Sequence, residues 1–130
     1  MAADSTVVEL HLEAGDDDDA REIDELTSKL RRELIRTDVD SVERPVVGEA
    51  PPGAKAADVV ALGTLVVGMA KSAGVIKGLI DSVKDWLGRQ REPERTVKLA
   101  IDGDTLEVTG VSSTEQERLI AAWIDRHSEQ

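Results

Sequence analysis

This chain has no cysteine, no tyrosine and no phenylalanine, and Trp86 and Trp123 are its two tryptophans. The absence of cysteine excludes disulfide bonds and thiolate metal sites. With so few large aromatic side chains, the core has to be built from valine, leucine, isoleucine and alanine. A chain of 130 residues, of which 40% are hydrophobic, is long enough for one domain with a modest core.

Catalytic motifs are also missing. The sequence contains no glycine-rich phosphate loop, no Gly-x-Ser-x-Gly and no His-Glu-x-x-His. His11 and His127 are isolated from each other in the sequence. The acidic run at residues 16–19 lacks the alternating oxygen ligands of a calcium loop and instead precedes a helix, where negative charge is favoured. We therefore predict a protein that is not an enzyme and that uses no metal or cofactor.

The charge is strongly one-sided, with 27 Asp and Glu against 16 Lys and Arg, a net charge of −11. Nucleic-acid phosphates need a basic surface, so this balance argues against a nucleic-acid partner. It argues equally against simple docking on anionic lipid. The sequence shows no signal peptide, and we therefore expect a cytoplasmic protein.

The longest apolar run lies within residues 56–87, after the break at Pro51-Pro52-Gly53. Apolar residues follow a heptad spacing through this stretch, which predicts one long helix packed against another helix. The seam consists of Val59, Leu62, Val66, Met69, Ala73, Ile76, Ile80, Val83 and Leu87. Glycines that allow close backbone packing recur at Gly63, Gly68, Gly74 and Gly78. We expect this seam to bind a partner or a second copy of the chain.

Two hypotheses for the predicted helix remain open. The first is a buried helix of a soluble domain, with its seam at an oligomer interface. The second is conditional insertion into a membrane, although Lys71 and Lys77 interrupt the stretch of about 20 apolar residues that a span requires. Release would need proteolysis in the flanking polar segments. The candidate cleavage sites are Lys55, Arg89, Arg91 and Arg95, in segments that we expect to be exposed.

The flanking segments predict short α/β units. The expected elements are a strand at residues 6–12, a helix ending near residue 36, a strand at 39–47 limited by Pro45, a hairpin at 96–101 and 105–109, and a last helix opened by a capping box from Ser112 to Glu115. The order β-α-β, long helix, β-β-α predicts an α+β fold with a small mixed sheet and helices on one face. We expect a single domain whose parts are residues 1–50, 51–90 and 91–130.

Several segments resemble a known family. They are APPGAK at residues 50–55, VALGTLVV at 60–67, VDSV at 39–42, and the hairpin at 99–110 with its Asp102-Gly103-Asp104 turn. Together they resemble the effector-associated constant component family of bacteria, from Val7 to about Ile124. The resemblance implies a small, non-enzymatic protein of bacterial conflict systems, encoded beside variable effectors that include caspase-like and trypsin-like proteases. It implies a link between effector and system, and it supplies no catalytic residues.

Two functions follow as hypotheses. One is an adaptor in a defence or programmed-death system, whose helix seam mediates homo-oligomerisation or docking of a protease-type effector. The other is a membrane-permeabilising protein that an effector protease releases and that then associates with the membrane through the same helix.

Overall fold

The computed structural model describes residues 5–15, 18–45 and 63–128. Eight helices and strands follow one another along these residues. They are β1 (Ser5–Leu12), α1 (Ala20–Ile35), β2 (Ser41–Glu43), β3 (Thr64–Ala70), α2 (Ala73–Gly88), β4 (Val97–Ile101), β5 (Asp104–Val108) and α3 (Thr114–His127).

The five strands form one sheet in the order β2-β3-β1-β4-β5. Every neighbouring pair is antiparallel. The first six of the described elements therefore have the β-α-β-β-α-β order of ferredoxin-like domains. β5 adds a strand beside β4, and α3 follows it. The predicted α+β class is confirmed, but the sheet is antiparallel, not mixed.

One face of the sheet carries the core. Strand residues that point to this face alternate with outward residues, as pleating requires, and Val8, Leu10, Leu65, Val67 and Leu99 are exposed by 1% or less. The helices bury their apolar stripes in the same cluster, through Ile23, Leu30, Leu34, Ile76, Leu79, Ile80, Val83, Trp86, Leu87, Ile120, Trp123 and Ile124. The prediction that the helices pack on one face is confirmed.

The prediction of one long helix over residues 56–87 is wrong. Residues 64–70 form strand β3, which pairs with β1 on one side and β2 on the other. A short apolar run rich in valine is compatible with a strand or a helix, and its periodicity does not separate the two. The helix starts only after Ser72, whose side chain accepts a 3.5 Å hydrogen bond from the Val75 amide. Residues 56–62 lie outside the described part.

Local chemistry sets the other boundaries. Asp19 caps α1 by accepting a 2.8 Å hydrogen bond from the Glu22 amide, so the predicted capping role of the acidic run is confirmed. Ser113 caps α3, one residue later than predicted. Asp102 and Gly103 both have positive φ, 52° and 84°, as expected of a two-residue hairpin turn of the primed type.

Candidate functional site

The residues of the predicted seam do not share one surface. Met69, Ile76, Ile80, Val83 and Leu87 are each exposed by 0% and lie in the chain's own core. Val66 points to the opposite face of the sheet, and Ala73 is exposed at the start of α2. Val59 and Leu62 lie outside the described residues. The heptad pattern thus combines core positions of a strand and of a helix.

The four glycines predicted to allow close packing also lie in two different elements, two at β3 and two on α2. A Cβ at Gly63 would lie 2.7 Å from the carbonyl oxygen of Leu12, and one at Gly68 would lie 2.9 Å from Ser41 Oγ. Both positions are in or next to β3, where neighbouring strands approach closely. Gly74 and Gly78 are exposed on α2, and nothing lies within 4 Å of a Cβ built at Gly78.

The candidate cleavage sites differ in accessibility. Arg89 and Arg91 are exposed. The side chain of Arg95 is only 7% exposed, because it is held against Asp18. The expectation that the whole segment 88–95 is exposed is therefore wrong at Arg95, and Lys55 lies outside the described residues.

We expect trypsin to cut the folded protein after Arg91 or Arg89 well before Arg95. Nicking concentrates at exposed polar segments, whereas Arg95 has to leave its ion pair to enter a protease pocket. Mass spectrometry of a limited digest at low trypsin concentration identifies the first cut. Early cleavage after Arg95 would contradict this prediction.

The sheet has a second face, which we call the outer face. Register places outward residues in cross-strand rows, such as Glu43, Val66 and Glu9 across β2, β3 and β1. The outer face consists of Ser5, Val7, Glu9, His11, Ser41, Glu43, Thr64, Val66, Gly68, Ala70, Lys98, Ala100, Thr105 and Glu107. The helices in the described part of the chain bury their stripes against the other face.

The outer face combines small apolar side chains with exposed glutamates, one of which, Glu9, lies on the central strand β1. Val7 is 59% exposed, and Val66, Ala70 and Ala100 are half-buried around it. Glu9, Glu43 and Glu107 are exposed, and Lys98 is partly neutralised by Glu13 at 3.5 Å. Such a surface suits binding of a partner that carries apolar and basic groups.

His11 lies at one end of the outer face. Its Nδ1 is 3.2 Å from Thr64 Oγ1 on the neighbouring strand. In the described ranges, no three His, Asp or Glu side chains are arranged to hold a metal ion. We therefore interpret His11 as part of a cross-strand contact on the outer face.

A polar cluster joins α3 to the hairpin. His127 Nε2 lies 2.6 Å from Asp104 Oδ2, and Arg126 Nε donates to the same oxygen at 2.9 Å. The hydrogen bond from Arg126, followed by that from His127, lowers the pKa of Asp104. Trp123 Nε1 donates to the Asp104 carbonyl oxygen at 3.3 Å. His127, which is isolated from His11 in the sequence, thus has a specific carboxylate partner that sequence spacing did not indicate.

Within the residues that the structure describes, none of the helices has the length and apolar character needed to cross a membrane. The longest, α1 and α2, have 16 residues each.

Comparisons with known proteins identify the family of the chain. No curated protein and no solved structure matches the chain. A family model described as Effector Associated Constant Component 1 matches residues 14–124. This range includes α1, α2, the strands β2 to β5 and most of α3. The match spans most of the 130 residues, and the chain belongs to the Effector Associated Constant Component 1 family.

Proposed function

We propose that this protein is a non-catalytic adaptor that binds its effector through the outer face of the sheet. The observation that carries the proposal is the composition of β3, Thr64–Ala70, whose inner face is apolar and whose outer face is apolar apart from Thr64. Strands covered on both faces read as continuous hydrophobic runs, whereas a solvated face of an antiparallel sheet is normally polar. The helices in the described part of the chain cover one face of β3, so its outward valine, glycine and alanine suit contact with another molecule.

The charge of the outer face favours a partner different from the chain itself. Two copies packed through this face would bring its glutamates, Glu9, Glu43 and Glu107, near one another, and like charges in an interface oppose association. An effector with an apolar patch bordered by lysine or arginine avoids this repulsion. The family name supplies the effector as partner, and we propose a protease-type effector of a bacterial conflict system.

The test is a pair of matched substitutions, Val7→Lys and Val111→Lys. Both valines are more than half exposed, 59% for Val7 and 52% for Val111, but only Val7 lies on the outer face. We expect Val7→Lys to weaken binding to the effector encoded beside this chain at least tenfold, about 1.4 kcal/mol, while Val111→Lys leaves it unchanged. Isothermal titration calorimetry gives both dissociation constants.

Two controls make the test decisive. The unfolding free energy of each variant should stay within about 0.5 kcal/mol of the parent, as for ordinary surface changes. A large loss of stability in isolated Val7→Lys would show that the same chain covers this face, which contradicts the proposal. A change from oligomer to monomer in sedimentation, with effector binding intact, would assign the outer face to a second copy instead.

A further inference from the structure

A second surface lies at the edge of the sheet, between α1 and β2. Here a groove of about 580 Å³ is lined by Ser28, Arg31, Arg32, Glu43 and Arg44. We call it the arginine groove. It is shallow and largely open to solvent. Three guanidinium groups facing one groove are unexpected on a chain with a net charge of −11.

Each of the three guanidinium groups is held by a neighbouring protein group. Arg31 Nε donates to the Val42 carbonyl oxygen at 2.9 Å, and Arg32 Nε donates to the Ser28 carbonyl oxygen at 3.4 Å. Arg44 donates to Ser28 Oγ at 3.3 Å and forms an ion pair with Asp24. Because the bonds of Arg31 and Arg32 use only Nε, the paired terminal amino groups of each fork remain for an oxyanion.

The arginine groove also has an excess of positive charge. Among the described residues, no carboxylate lies within ion-pair distance of Arg31 or Arg32, whereas Arg44 is paired with Asp24. Of the described residues that line the groove, Glu43 is the one that is acidic. An anion bound here would gain charge-assisted hydrogen bonds from side chains whose positions are already set.

The groove lies beside a sheet edge, but it does not suit addition of a strand. β2 is an edge strand of three residues, and Arg31 occupies the outward carbonyl of Val42. Blocking of edge groups by charged side chains is a common protection against unwanted pairing. A ligand of this groove is therefore recognised through its side chains and not through its main chain.

We infer that the arginine groove is a binding site for a short peptide segment, rich in oxyanion side chains, of a partner protein. Guanidinium forks match carboxylates and phosphates in bidentate geometry. Nucleic acid fits less well, because the net charge of −11 repels a long polyanion. The arginine groove adjoins the outer face, because Glu43 belongs to both. The inference does not depend on the effector proposal.

Fluorescence anisotropy with a labelled tetra-aspartate peptide tests this inference on the full chain without any effector. We expect saturable binding that weakens as salt rises, and no binding of the tetra-asparagine analogue. A phosphoserine peptide, measured in parallel, shows whether carboxylate or phosphate is preferred. Absence of saturable binding to both oxyanion peptides, or tighter binding of duplex DNA, would overturn the inference.

Three substitutions test whether the peptide binds in the arginine groove. Arg32→Gln, on an exposed residue, should weaken peptide binding about tenfold, the effect of losing one charged hydrogen bond. Glu43→Gln should strengthen it, because a repelling carboxylate leaves the groove. Arg118→Gln removes the same charge from exposed α3 and should change little. Equal losses in Arg32→Gln and Arg118→Gln would show attraction to net charge alone and contradict a site in the groove.

Discussion

Replacement of Arg95 by methionine is expected to lower the free energy of unfolding by about 3 kcal/mol, the scale for removing one partner of a buried ion pair. The side chains of Arg95 and Asp18 are each 7% exposed. Two hydrogen bonds join them, from Nη1 to Oδ2 at 2.5 Å and from Nη2 to Oδ1 at 3.2 Å. Methionine keeps most of the chain length but leaves the Asp18 carboxylate buried without its cation.

The loss should depend on pH in a defined direction. The hydrogen bond from Arg95, with the Gly15 amide as the next contribution, lowers the pKa of Asp18 from 3.8 to about 2. A carboxyl group whose pKa is lower in the folded state contributes stability above its unfolded pKa, and this contribution disappears as pH falls through the folded pKa. The difference between wild type and Arg95→Met should therefore be full at pH 7 and shrink between about pH 4 and pH 2.

Urea unfolding at pH 7 and at pH 3 measures this difference. Arg91→Met is the matched control, since Arg91 is exposed and surface changes rarely exceed about 0.5 kcal/mol. If Arg95→Met and Arg91→Met lose equal stability at pH 7, the ion pair has no special role in the fold.

Replacement of Gly110 by alanine is the second large effect, and we expect a loss of about 3 kcal/mol from overpacking. A Cβ at Gly110 would lie 2.5 Å from Gly88 N, 2.7 Å from Leu87 C and 2.8 Å from Gly88 Cα. All three are backbone atoms, so no side-chain rotation relieves the contact. The loop would have to move, and with it the 2.7 Å hydrogen bond from the Gly110 amide to the Pro93 carbonyl oxygen.

Gly88→Ala, on the other side of the same contact, should behave differently. A Cβ at Gly88 would lie 3.5 Å from the Gly110 carbonyl oxygen, an ordinary distance. Because Gly88 ends α2, alanine there should be neutral or stabilise the protein by up to about 1 kcal/mol. Thermal and urea unfolding of both variants compare the two sides. Similar losses for Gly110→Ala and Gly88→Ala would contradict the steric explanation.

Much of the fold follows from local patterns. Alternation predicted β1, observed as Ser5–Leu12, and the Asp102-Gly103 turn predicted the hairpin that β4 and β5 form. These elements depend on chemistry within a few residues, so the sequence indicates them directly. The strand predicted at residues 39–47 was too long, since β2 spans only Ser41–Glu43.

Local patterns did not determine the secondary structure of the apolar stretch. In residues 63–88, valine, leucine and glycine fit a helical heptad and a strand about equally well, and only pairing of β3 between β1 and β2 decides for a strand. The same pairing places Val66 on the outer face and Met69 in the core. Arg95, expected to be exposed, is buried in an ion pair with Asp18. The sequence did not reveal this pair because the two residues lie far apart along the chain.

The sequence by itself determined the family, the α+β class, an aliphatic core without cysteine, and the acidic balance of the surface, because these depend on composition and on short motifs. Tertiary structure alone decided which apolar residues remain at the surface, and where. Long-range strand pairing sets the outer face, and the approach of β2 to α1 brings Arg44 to Arg31 and Arg32. Both candidate binding surfaces arise from contacts between residues distant in the chain, whose geometry no local pattern encodes.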